Sequence, residues 1–170
     1  MRFVPGIDVD RAKWRTTLAY QFAPTFSAGV EYNPLADDVG LLANWLALPE
    51  TEDAPALIVG TSSDRIGTPS KRAVYATLSK DLEGWTDLPI APYVGLSYGA
   101  YDEEVDVIGG LVVRWNEDWS STHLWDGHNL HHLVERAFGD QTLGLLVVEQ
   151  DGAYDVGLTW SLNFAMPWER

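Results

Sequence analysis

The chain has 170 residues, of which 46% are hydrophobic and 12% aromatic, a composition that excludes wholesale disorder and suits a single domain. The formal net charge is −14 and there are only 11 Lys and Arg residues, which argues against a nucleic-acid-binding surface because that needs clustered cations. The sequence has no Cys, so it excludes disulfides, Cys-based metal sites and Cys nucleophiles.

The segment Met1–Asp10 contains no apolar core of the length that a signal peptide needs. No stretch of the sequence approaches the ~18 apolar residues of a membrane helix. We therefore expect neither a signal peptide nor a membrane helix in this chain. We predict an N-terminal tail over residues 1–12, a folded domain over 13–164 and a C-terminal extension over 165–170.

Alternating apolar and polar residues predict β-strands along the first half of this domain. Val39–Leu48 alternates poorly and is also compatible with a short helix, but we favour a strand because its neighbours are strands. Pro-bounded and acidic segments such as Pro49–Pro55 separate the strands. The predicted strands are Lys13–Ala23, Phe26–Asn33, Val39–Leu48, Ala56–Ser62 and Lys71–Lys80.

The second half continues the same pattern with shorter connections. Asp126-Gly127 and Asp151-Gly152 are typical of tight hairpin turns, because Gly reaches positive φ without steric cost. The adjacent glycines Gly109-Gly110 predict a bend or bulge within their strand. The predicted strands are Ile90–Tyr101, Val105–Trp115, Trp119–Trp125, Asn129–Phe138, Gln141–Gln150 and Ala153–Phe164.

These elements predict an all-β fold without a convincing helix. Short connections join only adjacent antiparallel strands. A set of strands this large, with no helix to cover it, must close or fold into two sheets. We therefore predict an up-and-down antiparallel β-barrel of about ten to twelve strands joined by short hairpins.

The two faces of the predicted strands indicate which side of the barrel meets water. Soluble barrels turn the apolar face inward and a charged face outward, whereas membrane barrels do the reverse. In four of the strands the non-apolar face is chiefly Gly, Ala, Ser, Thr, Tyr, Asn and Gln, with charges only at Arg15 and Asp155. Such small residues suit a narrow, filled interior. The acidic residues lie mostly in loops instead, so lipid outside the barrel is favoured over aromatics that fill a soluble core.

This orientation selects two sets of candidate residues. Interior or pore-lining candidates are Arg15, Tyr75, Tyr93, Arg114, Glu135, Arg136 and Asp155. We expect an interior ion pair among Arg114, Glu135 and Arg136. Trp and Tyr near strand ends are typical of the aromatic girdle at a membrane interface. The membrane-interface candidates are Trp14, Trp115, Trp125, Tyr154, Trp160 and Phe164.

All four His lie close together in the sequence, at His123, His128, His131 and His132. His131 and His132 point to opposite faces if they lie in a strand, so they do not share one ion. His123, His128 and His132 are weak metal candidates, and we expect no metal and no other cofactor. A second hypothesis joins Ser120 or Ser121 with His123 or His128 and with Asp126 or Glu135 as a hydrolytic triad.

The closing segment Gly157-Leu-Thr-Trp-Ser-Leu-Asn-Phe164 resembles the terminal strand of bacterial outer-membrane β-barrels, where alternating apolar residues finish on an aromatic. Gly60–Pro69 with Tyr75–Lys80, Pro92–Tyr98 and Trp125–Asn129 also resemble uncharacterised small barrels of that kind. The resemblance covers roughly residues 56–164. It implies an outer-membrane location, for which an export signal is absent from this sequence.

Three functional hypotheses follow. The first is a non-enzymatic outer-membrane-type barrel, porin-like in architecture, that serves as a structural, adhesion or narrow-pore protein of the cell envelope. Its partners would be lipid or detergent on the apolar face, with divalent cations at the acidic loops and an oligomer both compatible with the sequence. The second is a soluble cytoplasmic or periplasmic barrel that binds a small apolar ligand or a partner protein. The third is an envelope lipid-modifying hydrolase that uses the His123/His128 region.

Overall fold

A computed structural model describes residues 1–150 and 152–164 and contains one closed antiparallel β-barrel. Within these residues two four-residue helices, α1 (Asp10–Lys13) and α2 (Glu83–Thr86), accompany the strands. The strands are β1 (Arg2–Phe3), β2 (Trp14–Ala23), β3 (Phe26–Asn33), β4 (Asp38–Leu48), β5 (Ala56–Ser63), β6 (Arg72–Ser79), β7 (Ile90–Gly99), β8 (Glu104–Arg114), β9 (Trp119–Trp125), β10 (Leu130–Phe138), β11 (Gln141–Gln150) and β12 (Ala153–Leu162). In the described part of the chain, no helix is both long and apolar enough to cross a bilayer.

The predicted fold class is confirmed, since the barrel is all-β and each strand from β2 to β12 pairs with its neighbour in sequence. The ambiguous stretch 39–48 is strand β4. Asp126-Gly127 forms the expected turn, with Gly127 at a φ of 103°. Asp151 of the other predicted turn and the predicted extension 165–170 lie outside the described residues.

No bulge occurs at Gly109-Gly110, where a bend or bulge was predicted. Both glycines pair in continuous register, Gly109 with Val94 and Gly110 with Tyr93. A Cβ at Gly110 would lie 2.6 Å from the Tyr93 ring, so the glycine makes room for an inward-facing aromatic side chain. Register shifts occur elsewhere, between Gln21 and Ala23 in β2 and between Leu46 and Leu48 in β4.

The predicted tail over residues 1–12 is part of the barrel. Arg2 of β1 pairs with both Thr159 of β12 and Arg15 of β2, so the first residues complete the wall. Because β1 is antiparallel to both neighbours, β2 and β12 run in the same direction, and β1 lets the sheet close without a parallel pair. The segment after β1 turns inward and buries the side chains Val4, Ile7 and Ala12 against Leu146 and Val148 of β11.

The residues that follow β1, 4–13, define one end of the barrel, which we call the plug end. The connections 34–37, 64–71, 100–103 and 126–129 lie at this end. The opposite end, which we call the far end, carries the connections 24–25, 49–55, 80–89, 115–118 and 139–140. This arrangement follows from the up-and-down order, because successive connections alternate between the two ends.

The outer and inner faces of the barrel wall differ strongly in polarity. Along β12 the side chains of Tyr154, Val156 and Leu158 are exposed, whereas Gly157 between them is buried. Outward aliphatic side chains reach exposures of 70% at Leu41 and 62% at Leu158. The side chains that are buried inside include charged and polar ones, among them Arg11, Glu31, Asn33, Thr77 and His131. The barrel therefore places its apolar face outside and its polar face inside.

Candidate functional site

The centre of the polar interior is Glu31, which is fully buried on the inward face of β3. Its carboxylate forms an ion pair with the Nη2 atom of Arg15 on the adjacent strand, at 2.7 Å. It also accepts hydrogen bonds from Asn33 Nδ2 at 2.9 Å and from Ser63 Oγ at 3.1 Å. A buried carboxylate needs such partners to remain charged, so this network fixes the packing of β2, β3 and β5 against one another.

Arg11 of α1 joins the inward-turned N-terminal segment to the connection 64–71. Its guanidinium is buried and donates hydrogen bonds to the carbonyl oxygens of Thr68 at 2.9 Å and Arg65 at 2.7 Å, and to Thr68 Oγ1 at 2.9 Å. A third carbonyl, that of Asp64, accepts at 3.2 Å. These bonds hold α1 as a plug across the β1–β5 side of the interior.

Further cationic groups surround this plug. The Nε atom of Arg2 and the Nη1 and Nη2 atoms of Arg72 are buried and have no hydrogen-bond partner among the described residues. Arg2 and Arg15 also line a pocket of about 230 Å³, together with Glu135 and Thr159. The interior beside the plug is thus rich in guanidinium groups, in contrast to the acidic loops.

A larger cavity, of about 670 Å³, occupies the other side of the interior. Tyr75 and Tyr93 project into it from β6 and β7, and the Tyr75 hydroxyl donates to Asn44 Oδ1 at 2.5 Å. Asp64, Asp106 and Asp126 stand at its plug-end mouth. The remaining wall mixes small polar and aliphatic side chains: Ser62, Thr77, Ser79 and Ser97 with Ile58, Ile108, Val112 and Leu124. Such a lining suits a small amphipathic molecule.

The structure separates the residues that were expected to form an interior ion pair. Glu135 faces inward, whereas Arg136 lies on the outer face, where its guanidinium stacks over the rings of Trp119 and Phe138. Arg114 is at the far end and pairs with Asp81 at 2.8 Å. Alternation explains why Glu135 and Arg136 are separated, because consecutive residues of one strand cannot both face inward.

The Arg114 pair ties a loop to the barrel wall. Arg114 Nη2 contacts the carboxylates of both Asp81 and Glu83 in the connection 80–89. The backbone N–H of Glu83, followed by the Arg114 guanidinium, holds the pKa of the Asp81 carboxyl below its usual range. The contact therefore anchors the far-end loop that carries α2.

The remaining interior candidate, Asp155, faces the plug, where its carboxylate lies against the backbone of Gly6. The candidate interface aromatics are all exposed on the outer face. Trp125 and Tyr154 lie towards the plug end, and Trp115 and Phe164 lie towards the far end. Trp14 and Trp160 flank β1, where Trp14 packs edge-to-face against Phe3 with ring centroids 5.9 Å apart.

Two of the His side chains lie near the cavity mouth. His131 is buried on the inward face, and its Nδ1 accepts the backbone N–H of Glu149 at 3.2 Å. Its Nε2 therefore carries the proton and donates to Asp126 Oδ2 at 2.8 Å. His128 Nε2 lies 3.4 Å from Asp106 Oδ2. Burial raises the pKa of the Asp126 carboxyl, but the hydrogen bonds from His131 and from two backbone N–H groups outweigh it, so the pKa lies below its usual range.

The other two His side chains lie on the outer face. His123 and His132 face each other across β9 and β10, with their Nδ1 atoms 2.7 Å apart. Ser121 Oγ lies 3.3 Å from His123 Nε2. His128 does not join them, and among the described residues no three His, Asp or Glu side chains come together as a metal site.

Sequence reasoning missed two residues that organise the interior. Glu31 carries a signal, because it is the one charged residue in a run of apolar and small side chains over Phe26–Asn33. Arg11 carries none, since its partners are backbone carbonyls more than fifty residues away. No family model matches this sequence, and neither the curated proteins nor the solved structures provide a significant match.

Proposed function

We propose that this chain is an outer-membrane-type β-barrel that is embedded in lipid and serves as a structural, adhesion or narrow-pore protein of the cell envelope. The observation that supports this proposal best is the inverted polarity of the wall. Leu41, Val105 and Leu158 point outward with most of their surface exposed, while Glu31 and His131 are buried inside.

The size of the apolar surface argues for lipid as its partner. Soluble monomers rarely expose contiguous apolar patches larger than a few hundred Å². Here the exposed outer residues are aliphatic in mid-strand positions such as Leu145 and Val107, and aromatic towards the ends, as at Trp115 and Tyr154. Membrane barrels show this banded distribution, because aromatic side chains prefer the headgroup level.

The interior favours a closed or narrow barrel over a wide pore. The plug with Arg11 and the Arg15–Glu31 network occupy one side of the lumen. Among the described residues, a cavity of about 670 Å³ lies on the other side. A passage through such a barrel would admit small solutes at most.

The test is fluorescence quenching after reconstitution. The purified protein is incorporated into vesicles whose acyl chains carry bromine, and Trp emission is compared with that in unbrominated vesicles. We expect strong quenching, because the outward Trp160 and Trp125 would lie against the lipid. A protein that is monodisperse without detergent and whose emission brominated lipid does not change would contradict the proposal.

A second candidate function, binding of a small ligand inside the barrel, is favoured by the cavity itself. Its volume of about 670 Å³ lies within the range of ligand sites. Tyr93→Trp would fill part of the cavity and should weaken binding of an uncharged hydrophobic dye. Tyr98→Trp is the matched control, because Tyr98 lies on the same strand and is exposed outside. Equal dye binding by both variants would exclude the cavity as the site.

A further inference from the structure

We propose that the outward-facing side chains Ser121, His123 and His132 form a nucleophilic relay that cleaves acyl esters of membrane lipids. This inference rests on the proposed function, because it requires that the outer face meets lipid. His132 takes the place of the acidic third member that the sequence suggested. Asp126 is hydrogen-bonded to the inward-facing His131, and Glu135 lines an interior pocket, so neither reaches His123.

The relay lies on the outer face of the wall. Ser121 and His123 share their face of β9 with Trp119 and Trp125, which are exposed on either side of them. His132 pairs directly with His123, on the outward face of β10. Polar side chains are expensive in an apolar belt and usually have a functional reason there.

The hydrogen bonds of the group allow a proton relay from Ser121 to His132. The Trp115 indole N–H can only donate, and it lies 3.0 Å from Ser121 Oγ, which therefore accepts. The Ser121 hydroxyl proton is then free to point at His123 Nε2, 3.3 Å away. In this arrangement His123 carries its proton on Nδ1 and donates a hydrogen bond to the unprotonated Nδ1 of His132, 2.7 Å away.

This direction is the one that nucleophilic catalysis requires. A weak nucleophile is activated by an adjacent base, and the base is held in the correct tautomer by a third group. His123 Nε2 is the base that faces the hydroxyl. His132 is a positioning residue that fixes the His123 ring and accepts the Nδ1–H bond in place of a carboxylate.

The position along the barrel suits an ester carbonyl. Ser121 is two residues from Trp119, or about 7 Å along the strand. Aromatic side chains of membrane proteins prefer the headgroup level, and the ester groups of a glycerolipid lie just below it. A lipid lying against β8–β10 would thus bring its acyl ester to the depth of Ser121.

Trp115 controls access to the nucleophile. Ser121 is only 3% exposed because the Trp115 indole covers it, while the indole itself is 64% exposed. Rotation of that side chain uncovers the hydroxyl and leaves the strand pairing intact. Once it no longer bonds Ser121 Oγ, the indole N–H is available to donate to the developing oxyanion.

The reaction has two balanced steps. Ser121 Oγ attacks the acyl carbon as its proton passes to His123 Nε2. The bond to the glycerol oxygen then breaks, and that oxygen takes the proton from His123 and leaves as an alcohol. Water attacks the acyl-serine and gives one proton to His123. When the acyl–Oγ bond breaks, Ser121 recovers this proton, and the fatty acid leaves as a free acid.

The first experiment labels the nucleophile. The full chain in detergent micelles is treated with a fluorophosphonate probe, and the adduct is mapped by mass spectrometry. We expect the adduct on Ser121, and we expect Ser121→Ala and His123→Phe to abolish it. Ser120→Ala is the matched control, because Ser120 is adjacent but faces inward, and it should label like the parent. Absence of an adduct on Ser121 in the parent protein would overturn the relay.

The second experiment measures turnover of a phosphatidylcholine dispersed in the same micelles. Trp115→Phe keeps the cover and removes the donor, so we expect about a hundredfold loss of kcat with little change in KM. His132→Asn keeps an acceptor and should retain more of kcat than His132→Leu, with KM equal in both. Equal kcat in these two variants would exclude a positioning role for His132.

Failure of this inference is distinguishable from failure of the proposed function. Quenching by brominated lipid without any adduct on Ser121 would leave the membrane barrel standing and overturn the relay. An adduct without such quenching would overturn membrane lipid as the substrate. Heat-modifiable migration on a gel checks that each variant is folded before it is scored.

Discussion

The strongest prediction concerns a charge placed in the middle of the apolar outer face. Leu145 is the fifth of ten residues in β11 and is 50% exposed. Its neighbours on the same face are Val134 of β10 and Leu158 of β12. Leu145→Arg therefore places a guanidinium at the centre of the proposed lipid-facing band.

The expected loss of stability from Leu145→Arg differs between water and lipid outside the barrel. Full burial of a Leu side chain contributes about 1.5–3 kcal/mol, so losing the buried half of Leu145 costs about 1 kcal/mol in water. Arg at the bilayer midplane of a membrane barrel costs about 2–4 kcal/mol, falling to about 0–1 kcal/mol near the interface. Only lipid makes the cost depend on depth.

Val105→Arg supplies the matched control. Val105 is also outward and more than half exposed, but it is the second residue of β8, at the plug end. The free energy of unfolding of each variant is measured by urea titration in lipid vesicles. We expect Leu145→Arg to lose about 2–4 kcal/mol and Val105→Arg at most about 1 kcal/mol. Equal losses at the two positions would refute the membrane orientation.

Three further predictions concern the interior. Glu31→Gln should lower the free energy of unfolding by about 3–5 kcal/mol, because it removes the counter-charge of the Arg15 guanidinium, whose side chain is only 25% exposed. Adding Arg15→Met to Glu31→Gln should recover part of this loss, and no recovery would contradict the pairing. The pKa of Asp126 lies below its usual range in the folded state, so its hydrogen bonds stabilise the barrel above the unfolded pKa of about 3.9, and this stability disappears as the pH falls through the lower folded pKa. In Asp126→Asn, the free energy of unfolding should fall less steeply between pH 7 and pH 2 than in the parent protein. An unchanged dependence on pH would exclude the Asp126 carboxylate as a source of the acid sensitivity. Gly110→Ala should cost about 1–3 kcal/mol, because its Cβ would lie 2.5 Å from the backbone carbonyl oxygen of His123 and 2.6 Å from the Tyr93 ring. A Cβ at Gly109 would lie 3.1 Å from its nearest atom, so Gly109→Ala should cost less. Thermal unfolding of the two variants checks this order, and the reverse order would show that crowding at Gly110 does not set the constraint.

The positions of several candidate residues followed from alternation alone. Tyr75 and Tyr93 lie in the interior and Tyr154 lies outside because successive residues of a strand face opposite sides. The same rule shows why an ion pair between Glu135 and Arg136 was a poor expectation. The alternation of faces along a strand is a local property, so it can be read from the sequence before the fold is known.

The partners of the buried polar residues did not follow from the pattern. Glu31 accepts a hydrogen bond from Ser63 of β5, two strands away, and Arg11 donates to carbonyl oxygens of the connection 64–71. The outward pairing of His123 with His132 depends on the register between β9 and β10. A shift of that register by one residue would move His132 to the opposite face from His123.

By itself, the sequence determined that the chain forms hairpin-linked strands, that one face of those strands is small and polar, and that the other is aliphatic and aromatic. Tertiary structure alone decided that β1 closes the barrel between β12 and β2, that residues 4–13 turn inward, and which charges meet. The physical reason is the range of the interactions along the sequence. Strand alternation and turn residues act between near neighbours, whereas closure and buried ion pairs join residues that are distant in sequence and become neighbours only when the whole sheet has formed.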